Sequence, residues 1–80
     1  MAEQYSEDEL MKLATDNLIF ISTDSSFVEA ISYDLKEHTV GVTVQGKDYE
    51  YANVPFNSFR EFVNSESKGQ FYNRYVKGKW

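Results

Sequence analysis

Residues 47–73, KDYEYANVPFNSFREFVNSESKGQFYN, decide the fold of this 80-residue chain. They begin with tyrosines at alternate positions, Tyr49 and Tyr51, which is the period of a β-strand. Pro55 ends this strand and can open a helix, because its missing N–H costs nothing at a helix start. Phenylalanines then repeat at helical spacing as far as residue 62. The segment predicts a strand, a helix and, after a break at residues 64–67, a second helix.

The second helix has a capped start and two distinct sides. Ser67 with Gln70 forms a capping-box pattern, and Gly78 is a suitable C-terminal stop. Helical spacing places an apolar arc toward the core, made of Phe71, Tyr72, Tyr75 and Val76. The opposite arc is polar and basic, with Gln70, Asn73, Arg74 and Lys77.

Upstream of Tyr49 the sequence predicts a β meander. A two-residue turn at Gly46-Lys47 pairs Val44 with Tyr49, and a four-residue loop at residues 36–39 pairs Tyr33 with Val42. Strict alternation then collects the apolar side chains on one face of the sheet, which the helices cover. This face holds Ile31, Tyr33, Leu35, Val40, Val42, Val44, Tyr49 and Tyr51.

The N-terminal part adds a short helix and an apolar run. Ser6 and Glu9 form another capping box, which predicts a helix over residues 6–15. Residues 18–21, Leu-Ile-Phe-Ile, predict a buried strand or a docking arm. The expected fold is α+β: a three- to four-stranded antiparallel β meander with an N-terminal helix and two C-terminal helices packed on one face. Residues 1–80 form one domain, with the N-terminal helix in 1–16 and the meander plus helices in 25–77.

Composition narrows the functional classes. The chain has no cysteine, and its longest apolar run is four residues, so a disulfide framework and a membrane span are not expected. The N-terminus lacks a signal segment, which predicts a cytoplasmic protein, in the host cytoplasm if the protein is viral. Residues 1–37 hold nine acids and two bases, a net charge of −7, whereas residues 38–80 hold four acids and six bases, a net of +2. A chain with an acidic N-terminal half and a basic C-terminal half is expected to bind small anionic ligands rather than long polyanions.

Catalysis and metal binding are not predicted. The single histidine, His38, falls in a hairpin loop beside Glu37, without the partners of a catalytic triad. Without cysteine and with one histidine, a metal site would consist of carboxylates alone. The acids of residues 7–9 fit helix N-terminal charge better than a metal site. We therefore expect no enzyme activity, no metal and no cofactor.

The order of these motifs resembles the KTSC domain family, which is named for a C-terminal extension of some lysyl-tRNA synthetases. The resemblance rests on residues 49–51, on Val54-Pro55 and on residues 67–73, together with Ile31, Tyr33 and Asp34. It extends over about residues 25–75. The resemblance implies the fold described above rather than an activity, with RNA binding as a proposed role.

The start of the last helix is the predicted ligand site. Backbone N–H groups and the dipole of a helix N-terminus suit phosphate, and Arg74 can bind phosphate in bidentate fashion. Gly69 would let a ligand approach the backbone, while Tyr72 or Trp80 could stack on a base. Core packing is the alternative for Tyr51, and an ordinary capped helix with a solvated basic face is the alternative for the site as a whole. The predicted ligand-binding residues are Ser67, Lys68, Gly69, Asn73, Arg74, Tyr72, Lys77, Tyr51 and Trp80.

Three functions agree with this pattern. The first is binding of a small phosphorylated ligand, a nucleotide or cyclic nucleotide signal that the protein sequesters in the manner of a phage-type immune-evasion sponge. The second is a single-stranded RNA-binding module, and the third is a protein-interaction or inhibitor module that uses the acidic N-terminal helix. An 80-residue chain offers little concavity, so a homo-oligomer with a shared site is also expected.

Overall fold

The computed structural model describes residues 4–23 and 25–80, so the first three residues of the predicted segment 1–16 lie outside the described residues. Four strands follow a short helix, and two helical segments follow the strands. The elements in chain order are α1 (Glu7–Lys12), β1 (Leu18–Ser22), β2 (Val28–Asp34), β3 (Thr39–Val44), β4 (Lys47–Tyr51), α2 (Phe56–Asn64) and α3 (Lys68–Phe71), which continues into a π-helical turn, Tyr72–Val76.

Helix α1 begins with the predicted capping box. The amide of Glu9 donates to Ser6 Oγ at 3.2 Å, and the amide of Ser6 donates to Glu9 Oε1 at 3.0 Å. The helix ends at Lys12, earlier than predicted, because the chain turns tightly just beyond it. Thr15 and Leu18 exchange both backbone hydrogen bonds, at 2.8 and 2.9 Å, around two residues of positive φ. This turn leads directly into β1.

The sheet is a four-stranded antiparallel meander in the order β1-β2-β3-β4, as predicted. The apolar run at residues 18–21 is an edge strand rather than a separate arm. Its alternate residues Ile19 and Ile21 are buried against the core, whereas Leu18 and Phe20 point outward and are exposed.

Both predicted hairpin registers were wrong by two residues. In the structure Val42 lies opposite Tyr49, and Tyr33 lies opposite Val40. The β3–β4 turn is formed by Gln45 and Gly46, which both have positive φ, as a type I′ turn requires. Because the shift is an even number of residues, every side chain stays on its predicted face.

The helices pack on one face of the sheet, as predicted. Phe59, Phe62 and Val63 of α2 are buried against the inner faces of the strands, and Pro55 caps this helix at its N-terminus. The hydroxyl of Tyr33 donates to the carbonyl of Val54 at 2.6 Å within this core. Among residues 4–23 and 25–80, no helix has the length and apolar character needed to cross a membrane.

Candidate functional site

The last helix changes its geometry midway. Ser67 Oγ accepts from the amide of Gln70 at 3.3 Å, which is the Ser67 half of the predicted capping box. After Phe71 the backbone widens into the π-helical turn, which the amide of Lys77 closes by donating to the carbonyl of Tyr72 at 2.8 Å. Gly78 follows with a φ of 76°, as expected of a C-terminal stop. Turns of this kind recur at functional sites, and here the turn decides which aromatic side chains reach the surface.

The groups expected at the helix start have partners inside the protein. Lys68 Nζ donates to the carbonyl of Ser65 at 2.7 Å. A Cβ on Gly69 would lie 3.5 Å from Cβ of Phe27, so this glycine packs against a side chain where the sequence predicted an approaching ligand. The α-helical part is also only four residues long. The backbone amides and dipole of the helix start therefore do not carry the site.

The structure separates two tyrosines that the sequence placed together on the apolar arc. Tyr72, predicted to stack on a base, is only 4% exposed, and its hydroxyl lies 2.8 Å from that of Tyr51. Burial and this hydrogen bond raise the pKa of Tyr72 to about 12. Tyr75, assigned to the core from the sequence, is 51% exposed. Tyr75 is thus the aromatic ring of this helix that is open to a ligand.

Trp80 is held at the surface of the core by other aromatic rings. Its ring meets those of Tyr51, Phe62 and Phe71 edge-on, at centroid distances of 6.4, 5.9 and 6.3 Å. The side chain remains half-buried. The terminal tryptophan is therefore part of the aromatic packing, and its orientation is fixed by three neighbours.

A surface cleft of about 260 Å³ lies beside the last helix. It brings together Ser67 and Arg74 from the predicted site with two residues that the sequence analysis left out of it, Gln70 and Tyr75. The lining offers a guanidinium, a carboxamide, two serine hydroxyls, a phenol ring and one carboxylate. Its members are Ser65, Glu66, Ser67, Gln70, Phe71, Arg74 and Tyr75. We call this the Arg74 cleft.

The remaining predicted residues lie elsewhere on the last helix. Asn73 and Lys77 are exposed, and neither lines the Arg74 cleft. Tyr75 was missed because helical spacing puts it on the apolar arc, and its place next to Arg74 in the chain is the sequence signal that could have pointed to it. In the structure its ring packs 5.0 Å from that of Phe71.

Histidine and acidic residues do not gather into a metal site in the part of the chain that the structure describes. His38 lies in the β2–β3 loop, as predicted, and is exposed with a φ of 57°. Its amide donates to the carbonyl of Asp34 at 2.8 Å, and its ring lies 6.5 Å from that of Tyr33. The absence of enzyme activity stays a prediction.

Comparison with known proteins identifies the family. The KTSC domain family matches residues 24–80, more than half of the chain, and the chain belongs to this family. A KTSC domain protein from Yersinia pestis has a similar structure, with a TM-score of 0.72 and 27% identity over 78% of this chain and 89% of the other. The resemblance seen in the sequence is therefore confirmed.

Curated relatives of the chain are much longer than it is. The lysine–tRNA ligase of Nostoc punctiforme is 30% identical over 91% of this chain but only 15% of its own length. The lysine–tRNA ligase of Trichormus variabilis is 29% identical with the same coverage. The chain thus spans about 15% of the length of the curated relatives that it matches.

Proposed function

We propose that this protein binds a small phosphorylated ligand, a nucleotide or cyclic nucleotide, and holds it without chemical change. One observation carries the proposal: Arg74, Gln70 and the exposed ring of Tyr75 line one cleft. A guanidinium can bind phosphate oxygens with two parallel hydrogen bonds, and the carboxamide adds donors beside it. An exposed aromatic ring next to them suits a base, because every base has a face that can stack.

The charge distribution favours a small ligand over a long one. The whole chain carries −5, so its general field repels an extended polyanion. Residues 68–80 nevertheless contain four cations and no acid. A local cationic site on an acidic protein can attract a few phosphates, because charges beyond about 8–10 Å are largely screened at physiological salt.

The chemistry of the Arg74 cleft suits binding of a nucleotide without its cleavage. Its guanidinium and carboxamide can donate hydrogen bonds to a phosphate, and Glu66 is its single carboxylate. One carboxylate does not make the acid–base pair that cleavage of a phosphate would use. Such a protein would lower the free concentration of its ligand by binding alone. Removal of a nucleotide signal, as in a phage protein that acts against host immunity, is the biological role that we propose for it.

Isothermal titration with nucleoside monophosphates, cyclic mononucleotides and cyclic dinucleotides tests the proposal. We expect Arg74→Gln to weaken binding about tenfold or more, since hydrogen bonds to charged groups contribute about 1.5–3 kcal/mol. Tyr75→Ala should weaken it about fivefold or more through lost stacking. Lys12→Gln is the control, because it removes the same charge from an exposed side chain of α1, far from the last helix in sequence. It should leave nucleotide affinity unchanged. Absence of heat with every nucleotide, or equal effects of Arg74→Gln and Lys12→Gln, would contradict the proposal.

Single-stranded RNA is a second candidate ligand, and the names of the relatives favour it. The matching curated relatives are lysine–tRNA ligases, whose substrate is an RNA. Gel shifts with single-stranded RNA at low salt test this role. Binding should weaken steeply with salt, and Lys77→Gln should reduce the slope by about one phosphate contact. Complete absence of a complex at low salt would remove this candidate.

Assembly into a homo-oligomer stays a prediction. Phe20 is 66% exposed on the edge strand and Leu18 is 51% exposed, which leaves apolar side chains at the surface. Native mass spectrometry of the protein purified from cells would report its subunit number and any retained nucleotide together. A monomer at micromolar concentration would contradict the predicted assembly without affecting the proposed ligand.

A further inference from the structure

A continuous row of aromatic rings connects the Arg74 cleft with strand β4. From Tyr75 in the cleft, the ring of Phe71 is 5.0 Å away, and Trp80 follows at 6.3 Å from Phe71. Tyr51, at the end of β4, lies 6.4 Å from Trp80. Tyr75 is exposed, and the other three rings are each partly open to solvent. The row therefore runs from the Arg74 cleft to the end of β4, and the cleft occupies only its first end.

The second end of the row carries a pair of hydrogen-bonded tyrosine hydroxyls. The hydroxyls of Tyr51 and Tyr72 lie 2.8 Å apart, so one of them donates to the other. Tyr72 is buried, and its hydroxyl has Tyr51 as its hydrogen-bond partner, which favours Tyr72 as the donor. In that arrangement Tyr51 keeps its own hydroxyl hydrogen for another acceptor, and donation from Tyr72 strengthens Tyr51 as a donor.

An exposed ring and a cation stand beside this donor. Tyr49 precedes Tyr51 by two residues on the same face of β4, and it is 40% exposed. Lys77 closes the π-helical turn that begins at Tyr72, because its amide donates to the carbonyl of Tyr72 at 2.8 Å, and its side chain is exposed. We call Tyr49, Tyr51 and Lys77 the Tyr51 corner.

We infer that the ligand has two nucleotide units, one bound at the Arg74 cleft and the other at the Tyr51 corner. This inference rests on the proposed function. Each end of the aromatic row has the same three components: a cation for phosphate, a side-chain donor and an exposed ring for a base. The Arg74 cleft, at about 260 Å³, is below the usual range of about 300–1,000 Å³ for a complete small-molecule pocket. One site of this size suits part of a ligand.

At the Tyr51 corner the predicted contacts are specific. The hydroxyl of Tyr51 donates to a phosphate oxygen, the ammonium of Lys77 offsets the charge of that phosphate, and the ring of Tyr49 stacks on the second base. Phe71 and Trp80 line the surface between the two units with apolar rings. Binding at both ends converts the second contact into an intramolecular step, so a linked pair of nucleotides should bind far more tightly than a single nucleotide.

Titration of mononucleotides against linear and cyclic dinucleotides of the same bases tests the inference. In the unmodified protein, at least one dinucleotide should bind about tenfold or more tightly than its mononucleotide. The readout is the ratio of these two affinities. Tyr51→Phe and Lys77→Gln should each bring the ratio close to one, while Lys12→Gln leaves it unchanged. Circular dichroism confirms that each variant is folded, and Lys77→Gln changes a solvent-exposed side chain.

The outcomes separate the inference from the proposed function. Equal affinity for mononucleotides and dinucleotides, with loss of both in Arg74→Gln, would overturn the two-unit ligand but leave the proposed function standing. A tenfold preference for a dinucleotide that survives in both Tyr51→Phe and Lys77→Gln would also overturn it, because the second unit would then bind elsewhere. No binding of any nucleotide would overturn both proposals.

Discussion

The side-chain amide of Asn64 holds the backbone of Tyr5 with two hydrogen bonds. The amide of Tyr5 donates to Asn64 Oδ1 at 2.6 Å, and Asn64 Nδ2 donates to the carbonyl of Tyr5 at 2.9 Å. Asn64 is the last residue of α2, and Tyr5 precedes the N-cap of α1. The pair therefore joins segments that are 59 residues apart in the sequence and fixes the point at which α1 begins.

Loss of this connection should release α1 from the rest of the fold. We expect Asn64→Ala to lower the free energy of unfolding by about 1–3 kcal/mol, since two partly buried hydrogen bonds are removed. Asn64→Asp keeps the acceptor for the amide of Tyr5 but sets a carboxylate oxygen against the carbonyl of Tyr5, so it should also be destabilising. Urea denaturation measures the loss, and hydrogen exchange should show faster exchange in residues 5–12. Asn57→Ala, exposed in the same helix, is the control, and unchanged exchange of α1 in Asn64→Ala would refute the role of the pair.

Sequence reasoning found the faces of the sheet but not its register, and the reason is physical. Alternation has a period of two, so a shift of two residues leaves every face unchanged and is not detectable from polarity. The turn decided the register instead. Gln45 adopts a φ of 50°, which is uncommon for a residue other than glycine, asparagine or aspartate, and so places the turn one residue before the predicted position.

The sequence analysis named Ser67 and Arg74, which line one cleft, but it placed both Tyr72 and Tyr75 on the apolar arc, and only Tyr72 is buried. A regular α-helix would put residues 71, 72, 75 and 76 on one arc. The π-helical turn adds one residue to the turn and rotates Tyr75 outward, while Tyr72 and Val76 remain buried. Helix propensity alone does not predict such a turn, because the turn depends on how Tyr72 packs against Tyr51 and Phe27.

The Tyr51–Tyr72 pair should make stability fall at alkaline pH. Burial, followed by the hydrogen bond to Tyr51, raises the pKa of Tyr72 from 10.0 to about 12. The folded protein therefore keeps a proton that the unfolded chain releases between these values, so the contribution of neutral Tyr72 is complete below pH 10 and is lost as pH approaches 12. Urea denaturation at a series of pH values measures this effect. We expect the free energy of unfolding to fall more steeply between pH 10 and pH 12 in the unmodified protein than in Tyr72→Phe.

Tyr75→Phe is the matched control for this pH dependence, because the side chain of Tyr75 is half exposed. In this variant the free energy of unfolding should fall with pH as it does in the unmodified protein. Ultraviolet absorbance of the tyrosinate gives an independent measurement of the late titration. Equal slopes in Tyr72→Phe and the unmodified protein would show that Tyr72 does not account for the alkaline loss of stability.

The positive φ of Gly46 should limit which residues the β3–β4 turn tolerates at this position. Gly46 has a φ of 80° and open space at its Cβ position, so conformation rather than a clash limits substitution there. We expect Gly46→Ala to lower the free energy of unfolding by about 1–2 kcal/mol, the usual penalty for a side chain in left-handed backbone. Gly46→Asn should recover most of this loss, because asparagine adopts this conformation more readily.

Gly41→Ala tests steric crowding without a change of backbone conformation, and so complements Gly46→Ala. A Cβ there would lie 2.5 Å from Ser32 Oγ, but that hydroxyl can rotate away, and the backbone of Gly41 is not left-handed. Its effect on the free energy of unfolding should therefore be smaller than that of Gly46→Ala, and the further change Ser32→Ala should relieve it. If Gly46→Asn were as unstable as Gly46→Ala, positive φ would not be the constraint, and the hydrogen bond from the amide of Gly46 to Glu29 Oε2 at 2.8 Å would be the next contact to test.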